Sequence, residues 1–352
     1  MEARNRKVLW VGLASIVLLA LLASCSLGSA TAGLGTGSTA TTGAVIPVTG
    51  GGTATPVVHQ QTPAEPPAAV SVIQDPTDAA LAAQQRVNSG ENYAFDLFER
   101  PFSQDMRTYF PDLDIARAEY SKDGTWAYIS IQLGGPDPKN GGLAGTYGVE
   151  LDTNQDGRGD FLVVVTAPTG TSWSSNGVKV YSDGSQEVGG IHPVQADTPP
   201  QTGKGYGTLL DDSGAGSDPD LAFARVSPSD PNTVQLAFKW SLANGSSFLW
   251  GTWAFDPSMF HADWFDYDDH FTQADAGSPI KELAQFYPLK QLYLMDNTCR
   301  WGAGFTPSAG VPGICPLPAT PVPPAAPAPG RTLIFLPPPV FFIPTPTQVI
   351  LR

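Results

Sequence analysis

Charge is scarce in this chain, and scarcest on the basic side. Charged residues make up 15 % of the 352, against ~25 % in typical domains. Lys and Arg number 19 against 33 Asp and Glu, a formal net charge of −14. No basic stripe interrupts the acidic background, so phosphate backbones repel the chain and nucleic acid is a poor partner. Catalytic signatures are thin too. There is no G-x-S-x-G elbow, no G-x-x-x-x-G-K phosphate loop, no H-E-x-x-H and no Cys/His nucleophile pair. A glycosidase needs only two carboxylates ~5–9 Å apart, and the many acids leave that chemistry open.

Long apolar runs are missing, with one exception at the start. M-E-A-R-N-R-K precedes an uncharged stretch from Val8 to Ala23. That is shorter than the ~20 residues of a membrane-spanning helix and has the form of a secretory leader. It closes on Leu22-Ala23-Ser24-Cys25, which resembles the lipobox of bacterial lipoproteins. The resemblance implies a signal peptide over 1–24, an acylated Cys25, a lipid bilayer as first partner and an extracytoplasmic place in the cell envelope. An ordinary leader cut nearby is the alternative. Losing Glu2, Arg4, Arg6 and Lys7 with the leader takes the net charge from −14 to about −16. Cys299 and Cys315 remain, and an even remainder in an exported chain predicts a disulfide. The alternatives are two free thiols, or a zinc site drawing on His192, His261 or His270.

Between residues 26 and 74 the one charged side chain is Glu65. Gly, Thr, Ala, Ser, Val and Pro supply too little burial to offset ordering, so 25–74 reads as a flexible tether. A short helix is expected within 75–92, with Asp75 and Thr77 as caps and Ala79–Gln85 as its body. The folded domain spans 93–316. Alternation in T-W-A-Y-I-S-I-Q-L and N-T-V-Q-L-A-F-K-W, and S-F-L-W-G-T-W-A-F, apolar on both faces, mark strands. Others are expected at Tyr147–Leu151, Phe161–Thr166, Val178–Tyr181, Leu221–Val226 and Leu289–Leu294. Ser278 and Pro279 offer the start of a second short helix. With turn signals and no βαβ rhythm, the expected fold is an all-β antiparallel sandwich with one or two short helices, flanked by disordered tails. The tail, 317–352, is proline-rich and either disordered or docked as an apolar strand.

The hairpin-like stretch Y-G-V-E-L-D-T-N-Q-D-G-R-G-D-F carries the clearest pattern. Asp152, Asn154, Asp156 and Asp160 fall at positions 1, 3, 5 and 9, with Gly157 at 6 and the Arg158 carbonyl at 7. Calcium takes 6–8 oxygen ligands, and a glycine-turned loop can wrap them around one ion. The spacing resembles the D-x-[DN]-x-D-G loops of EF-hands and dockerins, which implies calcium as cofactor. It departs from them in having Val163 at position 12 and strands on either side. The alternative is an Asp-Gly hairpin turn without an ion. Asp211–Asp220 is a second acidic loop, either a further ion site or a solvated connection.

F-H-A-D-W-F-D-Y-D-D-H-F (Phe260–Phe271) mixes acids, histidines and aromatics. Asp266, Trp264 and Tyr267 are ligand-binding candidates there, with Trp173 in the loop-like T-S-W-S-S-N-G; a packed cover over the core is the alternative. Trp126, Trp240, Trp250 and Trp253 lie in strands and read as core. P-D-L-D-I-A-R-A-E-Y-S-K-D-G-T-W-A-Y-I-S-I-Q-L followed by the acidic loop resembles the opening strands of family 9 carbohydrate-binding modules and DOMON-like sandwiches. That resemblance implies a module that binds a glycan or another cell-surface ligand. A carboxylate-dependent hydrolase and an adhesion module with a protein partner are the competing functions.

Overall fold

Strands with one apolar face pair until that face is covered, and here two sheets cover each other. The computed structural model describes residues 57–84, 98–184, 188, 205–245, 247–264, 293–311 and 313–317. The chain divides into two units, Met1–Ala54 and Thr55–Arg352, and every described residue belongs to the second.

The smaller sheet has five strands: β1 (Ser71–Gln74), β3 (Ile115–Lys122), β4 (Trp126–Leu133), β9 (Ala222–Val226) and β10 (Thr233–Lys239), in the order β1-β3-β4-β10-β9. The larger contains β2 (Glu99–Arg100), β5 (Thr146–Asp152), β6 (Phe161–Thr166), β7 (Val178–Ser182), β8 (Thr208–Asp212), β11 (Leu249–Phe255), β12 (Met295–Asn297) and β13 (Trp301–Gly302). Its order is β2-β12-β11-β5-β6-β7-β8, with β13 also on β11. All strand pairs are antiparallel, as the alternation predicts. The inner faces meet in one core, which takes Ala127, Ile129, Ile131 and Leu133 from β4 and Val234, Leu236 and Phe238 from β10. Tyr147, Val149, Val163 and Val165 face them from the larger sheet. Gly148 in β5 is required by packing: a Cβ there would meet Val164 Cγ1 at 2.6 Å.

Two expectations change. The described part of the Ala-rich segment forms a 3-10 turn at Ala82–Gln84, with its continuation from Gln85 onward outside the described residues. The end of the expected tether is ordered against the domain: Ser71–Gln74 adds β1 to the edge of the sheet, in register with Tyr120–Arg117. Most of the expected Leu289–Leu294 strand, the second helix at Ser278, and the segments 1–56 and 318–352 lie outside the described residues.

Cys299 and Cys315 form the expected disulfide, with Cα atoms 4.9 Å apart across 16 residues. It ties the end of the domain to the strands along β11. A loop of this size contributes about 3 kcal/mol. Reduction, or Cys299→Ser, should therefore lower the melting temperature in calorimetry by ~6–12 °C for a domain of this size.

Candidate metal centre

At one edge of the sandwich the inner layer changes from aliphatic to acidic. Asp296 pairs in register with Ala254, a core residue, and on its other side with Glu99. Both carboxylates therefore point between the sheets. Asp114 comes from the smaller sheet, one residue before β3, and the turn after β1 brings Asp75 and Asp78. Asp114 and Asp296 are 0 % exposed and Glu99 3 %. Asp75 is partly exposed as a residue, yet its Oδ2 is sealed from solvent.

Asp296 and Asp114 are each held from one side. Asp296 Oδ2 accepts from Ile115 N at 2.6 Å, which bridges the two sheets. Asp114 Oδ2 accepts from Asp78 N at 2.8 Å and from the Tyr109 hydroxyl at 2.5 Å. The other oxygens, Asp296 Oδ1, Asp114 Oδ1, Glu99 Oε1 and Asp75 Oδ2, are buried with no hydrogen-bond partner. One oxygen from each of Glu99, Asp114 and Asp296 lies within 4.8 Å of the others. That span matches ligands about 2.4 Å from one shared calcium-sized ion. Of the described residues, no other three His, Cys, Asp or Glu side chains converge in this way.

Electrostatics make this grouping untenable without a cation or protons. Burial, then repulsion from the neighbouring carboxylates, pushes Asp75, Glu99 and Asp296 far above the usual range. Burial pushes Asp114 up to about 6 even against its hydrogen bonds. Among the described residues, no basic side chain is one of the principal groups shifting these four. Burying an uncompensated charge costs several kcal/mol. An all-oxygen donor set without nitrogen or sulfur suits a hard cation, and a sealed cage disfavours magnesium, which keeps several waters.

The predicted loop is a separate structure at the far end of β5. Asp152 Oδ1 accepts from Gln155 N at 2.5 Å, and its Oδ2 accepts from Gly157 N at 2.8 Å. Asn154 accepts from Asp156 N, Asp156 from Arg158 N, and Asp160 from Thr153 N at 2.7 Å. Gly157 takes the left-handed conformation the turn needs, at φ 90°, and its carbonyl accepts from Arg300 Nη1 at 3.0 Å. Burial pushes Asp152 up to about 6 against the pull of the Gly157 amide and Arg300. An Asx-capped hairpin makes these contacts by itself.

The remaining candidates are dispersed. In the second acidic loop, Asp211 caps the amides of Gly214 and Gly216, while Asp218 pairs with Lys239. Trp173 sits over Arg225 on the outside of the smaller sheet. Trp264 ends a 3-10 turn, Ala262–Trp264, and Asp266 and Tyr267 lie outside the described residues. Trp126, Trp250 and Trp253 are buried, as expected. The chain matches no family model, no curated protein and no solved structure.

The five carboxylates escape sequence reading because four separate segments supply them. Their one signal is local: Asp114 lies between Leu113 and Ile115, and Asp296 follows Leu294-Met295, acids set inside apolar runs.

With chelator, the native centre retains protons that the unfolded chain releases between the ordinary 3.8 of Asp114 and its raised value near 6. Stability should therefore fall as pH rises through that window. With calcium the slope should reverse, because the ion needs ionised carboxylates. At a calcium concentration 100-fold above Kd the gain is about 2.7 kcal/mol, read by thermal melts. Asp296→Asn should stabilise the chelated protein near neutral pH and abolish the calcium response, whereas Asp156→Ala should preserve that response.

Proposed function

We propose that the chain is an envelope-anchored, extracytoplasmic binding module: a β-sandwich locked by calcium and held to the bilayer through acylated Cys25, with a glycan as its ligand. The converging oxygens of Glu99, Asp114 and Asp296 support an ion there ahead of the Asp152–Asp160 loop, whose side-chain oxygens hold the loop's own amides. Ligands at most 3 % exposed leave no room for a substrate, so the ion is structural.

The observation that carries the binding role is a cleft of about 410 Å³ on the outside of the larger sheet. Tyr181, Phe260, Lys179, His261 and Asp263 line it. Flat aromatic faces beside a few polar groups are how sites grip a sugar ring. Phe260 to Asp263 open the aromatic and acidic stretch that also contains Trp264, Asp266 and Tyr267.

One observation favours a hydrolase as the second reading. Burial holds the Asp112 carboxyl up to about 6, in a cleft of about 380 Å³ that Asp137 and Asp256 also line. A carboxyl raised above the usual range with two further carboxyls in the same cleft is the arrangement glycoside hydrolysis uses.

Calcium-loaded protein on a glycan array separates the readings. Binding that Tyr181→Ala weakens at least ten-fold supports the module. Release of reducing ends, lost in Asp112→Asn, supports the hydrolase, and neither result would sink both. Separately, Cys25→Ser should move the protein from the detergent phase to the aqueous phase on Triton X-114 partition.

A further inference from the structure

The outer face of the smaller sheet is aromatic where solvated sheets are polar. Trp126, Tyr128, Phe223 and Ala237 form a buried cluster there, with Trp173 packed against it. What covers them is the chain itself. Residues 57–68, which precede β1, lie across this face as a strap that is neither helix nor strand.

The strap is held at two points. Asp220 accepts from Gln60 N at 3.0 Å and Gln61 N at 2.9 Å, and bonds His59 Nδ1 at 2.9 Å. The His59 ring sits 5.0 Å from Phe223. The second point reads the sequence Thr62-Pro63-Ala64-Glu65-Pro66-Pro67. Pro63 is buried. The next carbonyl, that of Ala64, accepts from Trp173 Nε1 at 2.9 Å. Glu65 then receives both arms of Arg225, at 2.8 and 2.6 Å.

Arg225 is preorganised for that contact. Its Nε donates to Gln235 at 2.7 Å, and the guanidinium lies 4.3 Å from the centre of the Trp173 ring. Its side chain is 4 % exposed while that of Glu65 is 76 % exposed. The rigid, buried half of the pair belongs to the sheet and the solvated half to the strap. Thr62, Glu65 and Pro66 each precede a proline, which confines them to extended or polyproline II backbone. A buried proline, an indole N–H on the following carbonyl and an arginine fork are elements by which proline-rich acidic segments can be recognised.

We propose that this face is a peptide-recognition groove for extended, proline-containing acidic segments, Pro-Ala-Glu in this chain, and that the strap is its resident ligand in cis. The chain's own tail, P-L-P-A-T-P-V-P-P, has the prolines but no carboxylate for Arg225, so it is the poorer ligand. A tethered segment has an effective concentration of about millimolar, so in the wild type the strap fills the groove ahead of added peptide.

The test uses the full chain in calcium and a fluorescent peptide Q-Q-T-P-A-E-P-P-A, read by polarisation. Pro63→Ala/Glu65→Ala, which loosens the strap, should bind the peptide at least ten-fold more tightly than the wild type. Adding Arg225→Gln should reverse that gain, and the tail peptide should bind at least ten-fold more weakly. Equal binding by wild type and loosened variant overturns the groove, as does indifference to Arg225→Gln or to the choice of peptide. If the loosened variant does not fold, a protease site between the exposed Ala68 and Ala69 replaces it. The severed strap should then leave on dilution and added peptide take its place; a groove that stays closed to peptide also overturns the proposal.

Discussion

Charge cannot remain inside a protein uncompensated, and the edge of this sandwich is organised around that constraint. Strands β1, β2, β3 and β12 meet there, and three of them are two to four residues long or sit at a sheet edge. Apolar packing alone holds such short elements poorly. Asp296 accepts the Ile115 amide across the gap, and its second oxygen converges with those of Glu99 and Asp114. Neutralised, the cluster joins both sheets at the place where aliphatic contact runs out. Ionised and empty, it pushes them apart.

Both outer faces are put to use as well. On the larger sheet, Trp253 and Phe255 stack at 5.3 Å and pack with Tyr206 and Met295, under the segment that also lines the cleft. On the smaller sheet the strap covers the aromatic cluster. This explains why β4 is buried at Trp126 and Tyr128 as well as at Ile129 and Ile131.

The strands are legible where alternation or continuous apolarity runs for about five residues or more. Phe161–Thr166 is reproduced to the residue, and β4, β10 and β11 follow their alternation or continuous apolarity. Two-residue strands such as β2 and β13 are too short to carry a period. The strap reads as tether because Thr, Gln, Ala and Pro give it no periodic pattern. Its order comes from Asp220, Trp173 and Arg225, more than 100 residues further on. The buried acidic cluster is illegible for the same reason, whereas the oxygens of the Asp152 loop are neighbours in sequence.

Chain order gives the strap a mechanical meaning. Any pull transmitted from the residues before 57 reaches His59 and Asp220 first, then Pro63 and the Glu65–Arg225 fork, and β1 only afterwards. β1 is an edge strand, the kind that a pull can unzip one bond at a time, and the acidic turn follows directly behind it. Chain order therefore sets the strap's contacts to yield before β1, the strand whose loss would expose the buried acidic cluster.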